Sequence, residues 1–137
     1  MRRVSLYGLT ALVTGVHNFY WLMNVVNGAP LNLLNCTALV GSALLLVTAL
    51  VLPFRTRVAA KLGFAGSVLS WIFYVPLIGA ALIAPFSAWL EIQIYIRFHD
   101  YVPLVGMFLG PFLLIACTFD SVRLLWFRRA ISATVRT

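Results

Sequence analysis

The sequence predicts an all-α integral membrane protein: a four-helix transmembrane bundle with a short extracytoplasmic β-strand-like segment between its third and fourth helices. Three observations predict it. The chain is 63% hydrophobic and 9% charged with a mean hydropathy of +1.02, whereas soluble domains carry about a quarter charged residues. Four apolar runs of near-spanning length use most of the 137 residues, and about 20 apolar residues suffice to cross a bilayer. Between the last two runs, residues 90–99 read LEIQIYIRFH, with apolar and polar side chains alternating throughout. The expected organisation is one membrane domain, 1–137, with no separate soluble domain.

In chain order, Met1-Arg2-Arg3 precedes a first span at 4–26. A positive start and an apolar run also describe a secretory signal, with Val26-Asn27-Gly28 as its cleavage context. The run is longer than a signal's apolar core, contains His17 and Asn18 and leads into three further spans, so it reads as a retained anchor. Residues 27–35, NGAPLNLLN, form an uncharged connection broken by Gly28 and Pro30. A second span at 36–52 stops at Pro53, and residues 54–61 carry Arg55, Arg57 and Lys61 through a tight turn. The third span, 62–84, ends at Pro85. After the alternating segment, Pro103 opens the fourth span, 103–127, and Arg128, Arg129 and Arg136 follow in a basic tail.

In the alternating segment, Leu90, Ile92, Ile94, Ile96 and Phe98 take one face, and Glu91, Gln93, Tyr95, Arg97 and His99 the other. Period two describes a half-buried strand, because successive side chains leave opposite faces of an extended backbone. A lone strand has unpaired backbone donors and acceptors. Its expected partner is the 29–34 connection or a second polypeptide added by strand pairing. Glu91, Gln93, Tyr95, Arg97, His99 and Asp100 are therefore interaction candidates. The plainer reading is an ordinary wet face with a loose charge cluster.

Basic residues set the orientation. Nine of the ten lysines and arginines fall on one side of the four-span plan and only Arg97 on the other. Short loops rich in Lys and Arg stay inside, so both termini are expected in the cytoplasm, with a bacterial inner membrane as the setting. The net charge of +7 then meets anionic headgroups, and nucleic-acid binding has no support. Trp126 suits the inner aromatic belt, and Trp89 and Tyr101 the outer.

The first helix has the most pointed polar pattern. Thr10, Thr14, His17, Trp21 and Asn24 form one stripe, with Asn18 and Tyr20 beside it, and such a stripe faces the bundle interior because lipid offers no hydrogen-bond partner. At about 1.5 Å per residue, His17 sits roughly 20 Å from the inner end of its helix, level with Tyr74 and Pro76. Gly41, Ser42, Gly110 and Pro111 fall near that level, and each proline frees a carbonyl four residues back, at Ile72 and Met107. One reading is an outer-half cavity for a quinone or lipid, opening outward beneath the strand segment, with His17, Tyr20, Asn24 and Tyr74 as ligand candidates. The other is a neutral His17 bonded to a neighbouring helix between kinked, well-packed spans.

Small residues spaced four apart, at Ala11 and Gly15, Ala38 and Ser42, Gly66 and Ser70, and Gly106 and Gly110, permit close helix approach within the chain or to another one. Asp120 and Arg123 read as a local ion pair. Cys36 and Cys117 lie some 20 Å apart in depth, too far for a disulfide. His17 and His99 are at different depths for one haem iron. No metal motif, phosphate loop or complete catalytic set appears. The cofactor is left open.

The four-span plan, the stretch Thr14-Gly15-Val16-His17-Asn18-Phe19 and the hairpin with Arg55-x-Arg57-x-x-Ala60 loosely resemble the DoxX-type small membrane proteins of bacteria over the first three helices. The resemblance implies association with membrane redox systems. The outer strand segment departs from that family's pattern. From the residues themselves, the leading expectation is a non-enzymatic subunit that presents its outer segment to another membrane protein or a second copy. The alternative is a binder or carrier of a small lipophilic molecule.

Overall fold

A computed structural model describes residues 1–24 and 29–134, and the side chains of 1–23 and 33–127. The Asn24 side chain, residues 26–28 and the side chains of Arg128, Arg129 and Arg136 lie outside the described residues. Five helices follow one another: α1 (Arg2–Asn24), α2 (Ala29–Val51), α3 (Thr56–Ile83), α4 (Pro85–Arg97) and α5 (Tyr101–Thr134).

Both inner helices begin earlier than hydropathy predicts. In α2 the helix already includes Pro30, which is tolerated in a first turn because its missing N–H would have no intrahelical partner there. In α3 the first turns take in Arg57 and Lys61, since straight-chain cations are good helix formers whatever their hydropathy. Pro76 and Pro111 both lie within continuous helices.

The strand expected at 90–99 is a helix. Pro85 occupies the first turn of α4, where its fixed φ favours helix initiation. Leu, Glu, Gln and Arg then sustain the helix. The alternating isoleucines spread around its circumference, which no core face opposes, since no residue of α4 is buried. The end of α4 is a Schellman turn: the His99 amide donates to Ile96 O at 3.2 Å and the Asp100 amide to Tyr95 O at 2.9 Å. Its left-handed position is filled by His99, with φ 55°. Backbone groups of the segment are thus bonded within the chain, and the unpaired edge that strand addition requires is absent.

Four long helices pack in a ring, α1 and α3 each lying against α2 and α5. Neighbours run antiparallel. Gly8 faces Ala49 while Gly15 faces Ser42, and Gly63 faces Ser121 while Gly110 faces Tyr74. The start of α1, the α2–α3 turn and the C-terminal half of α5 therefore share one end of the ring. Arg2, Arg3, Arg55, Arg57, Lys61 and Arg123 gather there, and Arg97 stands at the other end. The small-residue patterns meet one another inside this chain. A Cβ on Gly41 would come within 2.7 Å of Gly66 O and Ser70 N, and one on Gly15 would touch Ser42 Cβ at 3.5 Å.

Polarity is inverted relative to a soluble bundle. Thr10, Thr14, His17, Asn18, Thr48, Ser67, Ser70 and Ser121 are buried, while Leu12, Leu50, Val75, Phe108, Phe112 and Phe119 are exposed. Apolar surface on that scale is stable only against lipid or protein. Three stretches combine the length and hydropathy of a membrane crossing: Leu33–Val51, Thr56–Ile83 and Tyr101–Phe127. The first expected span, α1, is not among them, because its polar stripe lowers the average.

Candidate functional site

The interior of the ring contains two polar layers, an inner one nearer the basic end and an outer one nearer the Arg97 end, each bridging two helices and each bedded on glycine from a third. In the outer layer, Trp21 Nε1 donates to His17 Nε2 at 2.8 Å, and His17 Nδ1 lies 2.8 Å from the Tyr74 hydroxyl. An indole N–H only donates, so Nε2 is the acceptor. In the neutral imidazole Nδ1 then carries the proton and donates to Tyr74. The bridge runs diagonally across the ring, from α1 to α3. Two glycines of α5 make room for it: a Cβ on Gly106 would fall on the His17 ring, and one on Gly110 would stand 2.5 Å from the Tyr74 hydroxyl. Phe73 closes the layer edge-on to His17, with centroids 5.8 Å apart.

The inner layer joins α1 to α5. Arg3 Nε donates to Asp120 Oδ1 at 3.0 Å. The Tyr7 hydroxyl lies 3.2 Å from Asp120 Oδ2 and 2.7 Å from Ser121 Oγ. A carboxylate only accepts, so Tyr7 donates to it and Ser121 donates to Tyr7. One turn toward the outer layer, Thr10 Oγ1 gives its proton to Leu6 O and faces the Cys117 thiol at 3.1 Å. Gly63 of α3 beds this layer, since its Cβ would stand 2.8 Å from Ser121 Oγ. The expected pair of Asp120 with Arg123 does not form. Asp120 faces the interior and takes the cation that α1 brings, and Arg123 lies over the Phe127 ring at 5.4 Å. Between the layers, Thr14 and Ser42 pair at 2.8 Å.

A groove of about 360 Å³ opens along the α1–α5 seam, lined by Leu12, Val13, Val16 and His17 from α1 and by Tyr101, Val102, Val105 and Gly106 from α5. It is bounded by clasps at both ends. Inward are the Thr10–Cys117 and Tyr7–Ser121 contacts. At the outer end the Tyr20 hydroxyl donates to Asp100 Oδ2. The expected cavity thus takes a different form. It opens sideways through the helix seam, His17 borders it, and Tyr74 lies behind His17, fully buried and outside the lining. Tyr20 stands at its outer clasp.

The interaction candidates divide. Glu91, Gln93, Arg97 and His99 are exposed, whereas Tyr95 and Asp100 are half-buried. Burial, with Glu91 and Asp100 adding, pushes the Tyr95 phenol above its ordinary pKa. No residue of α4 is buried, and Phe86 stacks on Trp89 on its outer side, centroids 6.1 Å apart. Both cysteines are free thiols, Cys36 exposed and Cys117 buried. Among the described residues, no three His, Cys, Asp or Glu side chains cluster as a metal would require.

Compared with known proteins, the chain matches no family model, no curated protein and no solved structure. The likeness to DoxX-type proteins therefore carries no further weight. The inner layer is the part sequence reasoning missed. Its signal was present, because Tyr7 extends the stripe of Thr10, Thr14, His17 and Trp21 by one more step of three.

Proposed function

We propose that this chain is a membrane protein of four crossings that holds the apolar chain of a small lipophilic molecule, a quinone or a lipid, in the α1–α5 groove. The observation that carries the reading is the groove itself, a slot held open between two polar clasps and facing the direction from which a bilayer component arrives. Its volume of about 360 Å³ is at the small end of ligand sites, which span roughly 300–1,000 Å³.

The fourth crossing in this proposal is α1. Its 23 residues give about 34 Å at 1.5 Å per residue, against a hydrocarbon core of about 30 Å. Leu9, Leu12, Val16, Phe19 and Met23 form its exposed face, and steps of three and four put them on one stripe. On the opposite, polar stripe Thr10, Thr14 and His17 meet polar partners on α5, α2 and α3. Averaged hydropathy undervalues such a helix, because only the outer stripe meets lipid. With four antiparallel crossings, the basic end of the ring is cytoplasmic. Both termini are then inside an inner membrane, and α4 lies in the outer interface.

Native mass spectrometry of protein extracted gently from its own membrane tests this. The wild type should carry a lipophilic adduct that Val16→Trp and Val105→Trp, which fill the groove and leave His17 unsubstituted, remove. An adduct retained by both variants would refute the reading. A second reading rests on α4, whose Phe86, Trp89, Leu90, Ile94 and Ile96 are exposed: a docking face for another membrane protein or a second copy. Loss of a copurifying chain on Leu90→Glu would favour it.

A further inference from the structure

Resting on the groove reading, we infer that the groove selects an anionic phospholipid, with one acyl chain between α1 and α5 and the phosphate at Arg97 and His99. The reasoning begins with what the groove wall lacks. Lipid tails are as apolar as the valines that line it, so burying a chain there gains little over leaving it in the bilayer. Selection must come from a polar group, and His17 offers none. Its Nε2 is occupied by Trp21 and its Nδ1 by Tyr74.

Polar recognition is available only at the outer end. Tyr101 lines the groove and is 53% exposed. The His99 ring stands edge-on to it, centroids 6.2 Å apart, held there by its left-handed place in the turn after α4. Arg97 is the last residue of α4 and, among the described residues, the one arginine or lysine at this end of the ring. It is exposed and, among the described residues, has no ion pair. Among the described residues, neither of the two acids nearby forms an ion pair with it. Asp100 is engaged by Tyr20, and Glu91, six residues earlier on the helix, points about 120° away. An exposed guanidinium two residues before an imidazole that packs on the phenol at the groove's outer end suits a phosphate diester: Arg donates two parallel bonds to phosphate oxygens.

The test uses the whole protein in nanodiscs of phosphatidylcholine with one-tenth phosphatidylglycerol, released into native mass spectrometry. The retained lipid should be enriched in phosphatidylglycerol about fivefold over the nanodisc, the ratio expected for one basic residue near the lipid surface. Arg97→Gln should abolish the enrichment while a lipid, now phosphatidylcholine, is still retained. Val16→Trp should remove the lipid altogether, with Val105→Trp as a second groove-filling variant. Retention without anionic preference in the wild type would overturn this inference and leave the groove reading standing. Enrichment that survives both groove variants would overturn it too, since the phosphate would then be held without the tail. A wild type that retains no lipid would overturn this inference as well, and the adduct carried from the native membrane then decides the groove reading separately.

Discussion

Gly106→Ala is the sharpest single probe of the outer layer. A Cβ at this position would come within 2.5 Å of His17 Cβ and Cδ2, so the contact is with the root of the side chain and no rotation of a flexible tip relieves it. Either α1 moves off α5, or the imidazole leaves its place and breaks its bonds to Trp21 and Tyr74. Overpacking costs about 1–3 kcal/mol, and two side-chain bonds within a membrane bundle add about 0.6 kcal/mol each. Alanine's better helix propensity offsets about 1 kcal/mol. The net expectation is destabilisation by about 2 kcal/mol. The assay is reversible unfolding in mixed micelles with rising SDS, followed by far-UV circular dichroism, on a double-mutant cycle with His17→Gly, which removes the clashing Cβ with the ring. With the whole side chain gone, Gly106→Ala should be favourable by about 1 kcal/mol, the helix-propensity gain alone, giving a coupling of about 3 kcal/mol. Gly79→Ala, where a Cβ meets nothing within 4 Å, is the control that shows the propensity gain alone. A cost for Gly106→Ala that is unchanged in the His17→Gly background would refute the contact.

Three further outcomes are expected in the same assay. His99→Gly should stabilise by about 1 kcal/mol, because a left-handed φ costs an L-residue about 1–2 kcal/mol, while His99→Val should destabilise. Arg3→Gln should lower stability by about 0.5 kcal/mol, the modest value of a pair whose arginine is half exposed, and lose that effect when Asp120→Asn is already in place; an Arg123→Gln effect that vanishes in the Asp120→Asn background would instead restore the local pair with Asp120. Tyr7→Phe should cost about 1 kcal/mol for its lost hydrogen bonds, with most of that cost absent when Ser121→Ala and Asp120→Asn are already in place.

The membrane class and the inward-facing stripe of α1 were legible in the sequence, because they depend on composition and on the spacing of Thr10, Thr14 and His17. Depth arithmetic also paired His17 with Tyr74 and Gly110. It put Gly41 and Ser42 in the same layer, whereas they meet Ser70, Gly66 and Thr14 about a turn nearer the basic end. The segment after Pro85 misled for a physical reason. Period-two alternation identifies a strand when one face is buried and the other wet, and α4 buries none of its residues, so no core face dictates which side Ile92, Ile94 and Ile96 take. What local sequence did offer was Pro85 as a helix starter. Asp120 was misassigned because proximity along the chain favoured Arg123. The helix phase turns its carboxylate inward to Arg3, more than a hundred residues earlier in the sequence. The groove was out of reach from spacing, since it depends on which two helices Gly106 lies between.

The most direct examination of the groove is a crystal structure from lipidic mesophase doped with a phospholipid dibrominated in its acyl chain, with data collected at the bromine edge. A chain held in the groove predicts an anomalous peak between Val16 and Val105, beside Gly106, and its loss in Val16→Trp. Bromine found only along the outer faces of α3 and α5, beside residues such as Val75, Phe112 and Phe119, would contradict it.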